Sequence, residues 1–476
     1  MLFNTYTFAA FLCLVLGAYL VLPLRGRQVF LLAASYVFYC WEKPVYGLLL
    51  ATSTCLDYVC GIWMGRLHGR RRRRLVLLLS LAGNLGLLGF FKYGDFLAGN
   101  IAGLGRLLGF DTHWKAMGFV LPVGISFYTF QTMSYTIQVY RRQIDPTRDF
   151  ISFALYVSFF PQLVAGPIER ANRLLPQLQV YHRIRAEDIA AGARRIVYGL
   201  FRKVVIADRL GILVDMFFEN PDGFSTATAW IVMPVFMGQI YFDFAGYADI
   251  AIGTARLFGI RLTENFRRPL LAVSIGDFWN RWHITLTSWL RDYVFFPLGG
   301  FRKGGARTLL NGWLVFLLCG LWHGARWNFV AWGAYHAVLI SFYFTWRFIK
   351  KRLKLGKAAG GRASLVILLS TMVTFCFTSF NTLFFRSESF VIMRQVCTAL
   401  LGRHAGAASA TQWYVWGFAM AMGVILVFEW FQEYSGMGAR LRGLPRPIRV
   451  AGLTLLAVVT LLTAVNNSAP YIYFQF

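Results

Sequence analysis

The residue best placed for proton transfer in this sequence is His323, which stands in the stretch FLLCGLWHGARWNFVAWG (316–333) between two apolar runs and amid Trp322, Trp327 and Trp332. Gly320 and Gly324 flank it and leave the backbone open to close approach by a substrate or another helix. An imidazole with an ordinary pKa near about 6.5 is the usual general base at neutral pH. The same residues suit a histidine satisfied by a neighbouring helix or seated in an interfacial aromatic belt, and residue types alone do not separate these readings.

A second mixed stretch, SIGDFWNRWHITLTSWLRDY (274–293), holds Asp277, Arg281, His283, Arg291 and Asp292 among aromatic residues. At helical spacing Asp277 and Arg281 pair on one face. The stretch as a whole reads as an amphipathic helix on the cytoplasmic surface, with His283 turned inward. A third, YFDFAGYADIAIG (241–253), sets Asp243 and Asp249 in apolar surroundings with Gly246 and Gly253. Buried carboxylates need partners or water, so these two predict a polar cavity wall, and taken alone they equally suit a proton-coupled carrier. His336 lies thirteen positions past His323 in a plain apolar helix and is expected to bond a backbone carbonyl. His68, His113, His182 and His404 fall in polar connecting stretches and read as solvated.

These residues must be positioned by membrane helices. Only 14% of the 476 residues are charged and 57% are hydrophobic, against about 25% charged in a soluble domain. Ionisable residues within apolar runs are costly in a bilayer and are functional candidates by default. Apolar runs place spans at 3–22, 29–39, 45–64, 75–91, 117–139, 196–217, 229–252, 309–321, 329–349, 365–384, 413–430 and 450–464. The net charge of +27 is concentrated between them, with Arg70 to Arg74 the extreme case, which is the positive-inside pattern of cytoplasmic loops rather than a nucleic-acid surface. Contact with anionic lipid follows as a by-product. With the basic clusters, up to Lys203 and beyond, all inside, the N-terminus and residues 471–476 face outward. Residues 2–24 lack a basic n-region and read as a first span rather than a removed signal peptide.

The apolar segment 150–165 lies between two basic clusters without a partner span, so a re-entrant or interfacial segment enclosed by protein is expected, and with it a hollow in the bundle. The seven scattered cysteines form no disulfide framework or zinc spacing, and no metal site is expected. No P-loop, no GxGxxG after a strand, no G-x-S-x-G elbow and no CxxC pair occurs, which disfavours nucleotide hydrolysis, hydride transfer and serine-hydrolase chemistry of the soluble type. The economical reading is one integral-membrane domain over 1–476.

The residues LPVGISFYTFQTMSYTIQVYR (121–141), FFPQLVAGPIER (159–170), YFDFAGYADIAIG, ENFRRPLLAVSIGDFWNRWHITLTSWLRDYVFFPLGG (264–300), the LWHG of 321–324 and the terminal YIYFQF resemble the membrane-bound O-acyltransferase (MBOAT) family, and within it the alginate O-acetyltransferase branch most closely. The resemblance runs in order through most of the chain. It implies an all-α, polytopic transmembrane helical bundle with short re-entrant and interfacial helices around a central cavity. His323 and His283 match the family's two histidines and are the expected catalytic residues, and Arg281, Trp282, Trp322 and Asp243 are the expected substrate-binding residues. No bound cofactor is implied; the implied acyl donor is acetyl-CoA, whose phosphates Arg281, Arg291, Arg302 and Lys303 could hold, although ordinary positive-inside charge explains the same residues.

Further implied are a place in the bacterial cytoplasmic (inner) membrane, a periplasmic or extracellular SGNH-type acetyltransferase as partner, and an exported polysaccharide, such as alginate, cellulose or another cell-envelope glycan, as final acceptor. The acetyl group must then cross about 30 Å of hydrocarbon, which calls for a protein-lined tunnel with a histidine partway. A proton-coupled transporter and a partner-dependent scaffold are the readings from other classes; the motif order and the lack of paired halves speak against the first.

Overall fold

A computed structural model of the protein describes residues 1–110, 112, 114, 115, 118, 121–353, 361–403, 410–435, 437–463, 471 and 472; the expectations for His113, His404 and residues 473–476 fall outside these. Among the described residues every regular element is helical. Seven helices among the described residues are long and apolar enough to cross a membrane: Val45–Arg66, Arg70–Leu107, Thr226–Leu257, Gly305–His323, Leu365–Arg386, Trp413–Tyr434 and Arg446–Thr463. The expected helical membrane fold is therefore what the chain adopts.

Several expected spans differ in form. The first two become helices Tyr6–Val21 and Leu24–Cys40, of 16 and 17 residues, roughly 25 Å each at 1.5 Å per residue. Pro23, which has no N–H to continue a helix, divides them. The expected span at 196–217 is a longer helical run, Ala186–Leu200, a π-helical stretch Phe201–Ala207, and Asp208–Glu219. The segment at 150–165 folds as helices Phe150–Ser158 and Phe160–Leu163, of nine and four residues, too short to cross. Asp149 caps the first by accepting from Ile151 N at 3.1 Å. Residues 152–169 are buried throughout, so this irregular backbone is enclosed by protein, as its sequence requires.

The described residues form two compact units, Met1–Ile196 with Tyr247–Thr263, and Val197–Gly246 with Glu264–Phe476. In the first, helix Ile125–Tyr140 is buried on nearly every side. Beside it, Asp57 of the Val45–Arg66 helix, wholly buried, accepts from Ser80 Oγ at 2.6 Å and from Asn84 Nδ2 at 2.8 and 2.9 Å. Ser53 and Thr132 donate in turn to Asn84 Oδ1 at 2.6 and 3.4 Å, which ties three helices through one polar cluster. Asp249 is paired with Arg195 at 2.6 Å, and a Cβ at Gly253 would stand 2.7 Å from the Gly192 carbonyl oxygen, so this glycine serves a close helix crossing.

In the second unit, helices Gly305–His323 and Trp327–Arg352 form a hairpin with direct backbone packing. A Cβ at Gly320 would lie 2.2 Å from the Phe329 carbonyl oxygen, and one at Gly333 would lie 2.5 Å from that of Phe316. The close approach expected at Gly320 and Gly324 is thus made by the hairpin itself, Phe329 filling the space beside both. Helix Arg446–Thr463 has the composition of a lipid-facing element, with Leu462 80% exposed.

Candidate active site

The loop that carries His283 is built by local capping. Ser274 Oγ accepts from Asp277 N at 3.2 Å and starts the seven-residue helix Ile275–Arg281. The expected Asp277–Arg281 pair forms within it at 2.9 Å. Trp282 then turns extended, and His283 takes the left-handed conformation (φ 41°, ψ 54°) before helix Ile284–Leu290 begins. A non-glycine residue held there costs of order 1–3 kcal/mol and persists only where its surroundings enforce it.

The His283 ring is 1% exposed. Its centroid lies 4.8 Å from Phe244, 6.2 Å from Phe266 and 5.8 Å from Trp322. Burial among these rings disfavours the imidazolium and holds the group down at about 3. His283 is therefore neutral at physiological pH.

His323 closes its helix at the turn of the hairpin, followed by Gly324 in extended backbone. It is 6% exposed, with centroids of Trp322, Trp332 and Phe385 at 5.1, 4.8 and 5.3 Å, and Nε2 lies 4.0 Å from Cys319 Sγ one turn back. Forty residues apart in sequence, His283 and His323 are thus brought to one tryptophan, Trp322. Imidazoles in such a shell can exchange protons or donate a hydrogen bond to a developing oxyanion.

The expected binding residues divide. Trp282 and Trp322 belong to this cluster, Trp282 stacking on Phe278 at 5.3 Å and meeting Phe266 edge-on at 5.2 Å. Arg281 is already engaged by two carboxylates, Asp277 at 2.9 Å and Glu433 at 2.8 Å, and Arg268 binds Glu433 beside it at 2.9 Å. Asp243 is bonded elsewhere: its Oδ1 lies 2.6 Å from Lys203 Nζ and its Oδ2 accepts from Ile472 N at 2.9 Å. Lys203 also reaches Asp208 at 2.8 Å and stands 4.5 Å from the Tyr471 ring centre. The polar wall expected at Asp243 and Asp249 is accordingly two ion pairs. Lys203, grouped by sequence with the cytoplasmic basic residues, is 1% exposed because two carboxylates compensate its charge.

His336 departs from expectation as well. Its nitrogens have no hydrogen-bond partner among the described residues, and its ring is packed by Trp279, Trp332, Phe316 and Tyr335 at 4.9, 4.5, 5.9 and 5.6 Å. His68 is exposed, as expected, whereas His182 is partly buried with Nε2 2.7 Å from the Gln177 carbonyl oxygen. Sequence reasoning passed over Phe244, Phe266 and Phe385, which have no polar atom to draw attention, and over Asn265, whose single amide lies within a basic stretch.

This pairing of buried histidines falls within residues 143–386, which match the model of MBOAT, the membrane-bound O-acyltransferase family. The chain belongs to that family: it is a multi-pass membrane protein and an O-acyltransferase. It is 34% identical to the probable alginate O-acetylase AlgI of Azotobacter vinelandii over 99% of both chains. It is 38% identical to the protein of the same name from Pseudomonas aeruginosa, over 83% of this chain and 74% of that one. It is also 33% identical to the peptidoglycan O-acetyltransferase of Helicobacter pylori, over 84% of this chain and 80% of its relative.

Proposed function

We propose that this enzyme takes acetyl from cytoplasmic acetyl-CoA and passes it across the bacterial inner membrane, where a periplasmic or extracellular SGNH-type partner sets it on hydroxyls of an exported polysaccharide. The observation that carries the reading is the convergence of His283 and His323 on Trp322 within a membrane helical protein. The names of the similar proteins, which act on alginate and on peptidoglycan, support acetyl as the group and a glycan as its destination.

In this reading His323 removes the proton of an acceptor hydroxyl, whose oxygen attacks the thioester carbonyl. The C–O bond forms, the C–S bond breaks, and the proton returns from His323 to the departing CoA thiolate. General-base assistance of this kind is worth roughly 10²- to 10⁴-fold. His283, neutral and fixed, donates a hydrogen bond to the carbonyl oxygen as charge develops on it. A protein-lined path for the acetyl group past His323 belongs to the proposal, and since the rings are 1% and 6% exposed, opening it requires aromatic side chains to swing aside. Arg302 and Lys303, exposed in the turn after Gly300, are the cations offered to the CoA phosphates, since Arg281 is held by Asp277 and Glu433 and Arg291 by Asp292 at 3.0 Å.

The test is His323→Ala at normal membrane levels, with ester-linked acetate measured on the exported glycan. Loss of acetate is expected, and retained acetylation removes His323 from the mechanism. Labelled acetyl-CoA supplied to inverted vesicles should release free CoA, which a carrier would not do.

A further inference from the structure

The left-handed backbone of His283 is held from outside its own turn. Asn265 is fully buried, and its carbonyl oxygen accepts from Ile284 N at 2.9 Å. Its side-chain Oδ1 accepts from both Thr285 N, at 3.2 Å, and Thr285 Oγ1, at 2.9 Å. Two residues on, Arg267 N donates to the Arg281 carbonyl oxygen at 2.9 Å. Residues 265–267 therefore bracket 281–285 on both sides of His283, with Phe266 between them laying its ring against Trp282 and His283. His283 is the N-cap of helix Ile284–Leu290 but its own side chain makes no capping bond. Asn265 supplies that cap from twenty residues away and leaves the imidazole to the aromatic cluster.

We propose that Asn265 is a positioning residue of the acyl transfer: by capping helix Ile284–Leu290 through Thr285, it fixes His283 in its left-handed turn and so aims the imidazole at the Trp322 cluster. This rests on the participation of His283 proposed above. Asn265 Nδ2 has no partner among the described residues, so the accepting oxygen is the functional half of the amide.

The experiment measures CoA release from acetyl-CoA by full-length enzyme in native membranes, with kcat normalised to folded protein and KM determined separately. Asn265→Ala and Thr285→Val should each lower kcat about tenfold or more, because a displacement near an ångström costs on the order of 10²-fold, while KM for acetyl-CoA stays within about twofold. Asn265→Asp and Thr285→Ser, which keep the acceptor and the donor, should recover most of the rate. In a His283→Ala background, Asn265→Ala should cause no further loss of kcat. The proposal is overturned if Thr285→Val matches the parent, or if Asn265→Ala reduces only the amount of folded protein. A His283→Ala enzyme at the parent rate instead overturns the role of His283 itself, whatever the Asn265 variants do.

Discussion

His283 and His323 share one neighbour, Trp322, whose ring centre is 5.8 Å from the first imidazole and 5.1 Å from the second. An indole in that position fixes the spacing of two bases that come from separate helical segments. It is itself only 3% exposed and helps to screen both rings from bulk water.

Removing that indole is expected to damage both packing and rate. Trp322→Ala should cost about 3–5 kcal/mol of stability and abolish CoA release, whereas Trp322→Phe, which keeps an aromatic ring, should retain measurable turnover. Thermal unfolding in detergent with a parallel CoA-release assay separates the two effects.

Lys203 makes a different prediction. Lys203→Met leaves the buried Asp243 and the partly buried Asp208 without their cation, and breaking such a buried pair from one side costs about 3–5 kcal/mol. The triple variant with Asp208→Asn and Asp243→Asn should regain much of that loss. A single variant as stable as the parent, by unfolding midpoint, would show that the carboxylates find compensation elsewhere.

Glycine substitutions should sort by what their Cβ would meet. Gly320→Ala would place a methyl 2.2 Å from the Phe329 carbonyl oxygen and is expected to destabilise by about 1–3 kcal/mol, displacing His323 and lowering turnover. Gly86→Ala, whose Cβ meets nothing within 4 Å, should be neutral or slightly stabilising. Equal unfolding midpoints for the two would count against the hairpin packing described above.

The imidazole of His283 also sets a direction for pH dependence. Burial lowers its folded pKa to about 3, whereas the unfolded side chain titrates near about 6.5. Its contribution to stability is therefore fully present above about pH 6.5, where neither state is protonated, and declines as pH falls toward 3, where the unfolded state alone binds the proton. Replacing it with glutamine should flatten the fall of the unfolding midpoint between pH 7.5 and 5. Activity should show no acidic limb from this residue over that range.

Much of the architecture was legible in the residues themselves. The apolar runs marked the long helices, and the segment at 150–165 betrayed its burial by being apolar without a partner span. His323 stood out as an imidazole amid tryptophans between two apolar runs, whereas His283, in a stretch that reads as a surface amphipathic helix, drew its role from the family resemblance. What stayed hidden depends on distant pairing. Lys203 reads as one more cytoplasmic cation until Asp243, forty positions on, is seen to neutralise it. Arg281 reads as a phosphate ligand until Glu433, 152 positions away, is found on it. The second helix begins at Leu24 rather than at 29 because its first turn carries Arg25, Arg27 and Gln28, polar residues that a hydropathy reading leaves out of a span. The left-handed turn at His283 carried no glycine to announce it.

The Asp57 cluster bears on how the chain enters the bilayer. An unassisted aspartate at the centre of a nascent span opposes insertion by about 2.5–3.5 kcal/mol. Ser80 and Asn84 follow Asp57 by only 23 and 27 residues, so helices Val45–Arg66 and Arg70–Leu107 carry the carboxylate and its donors together. Partitioned as a pair, they arrive with the acid already solvated by its own hairpin, and Thr132 joins once the later helix has been synthesised.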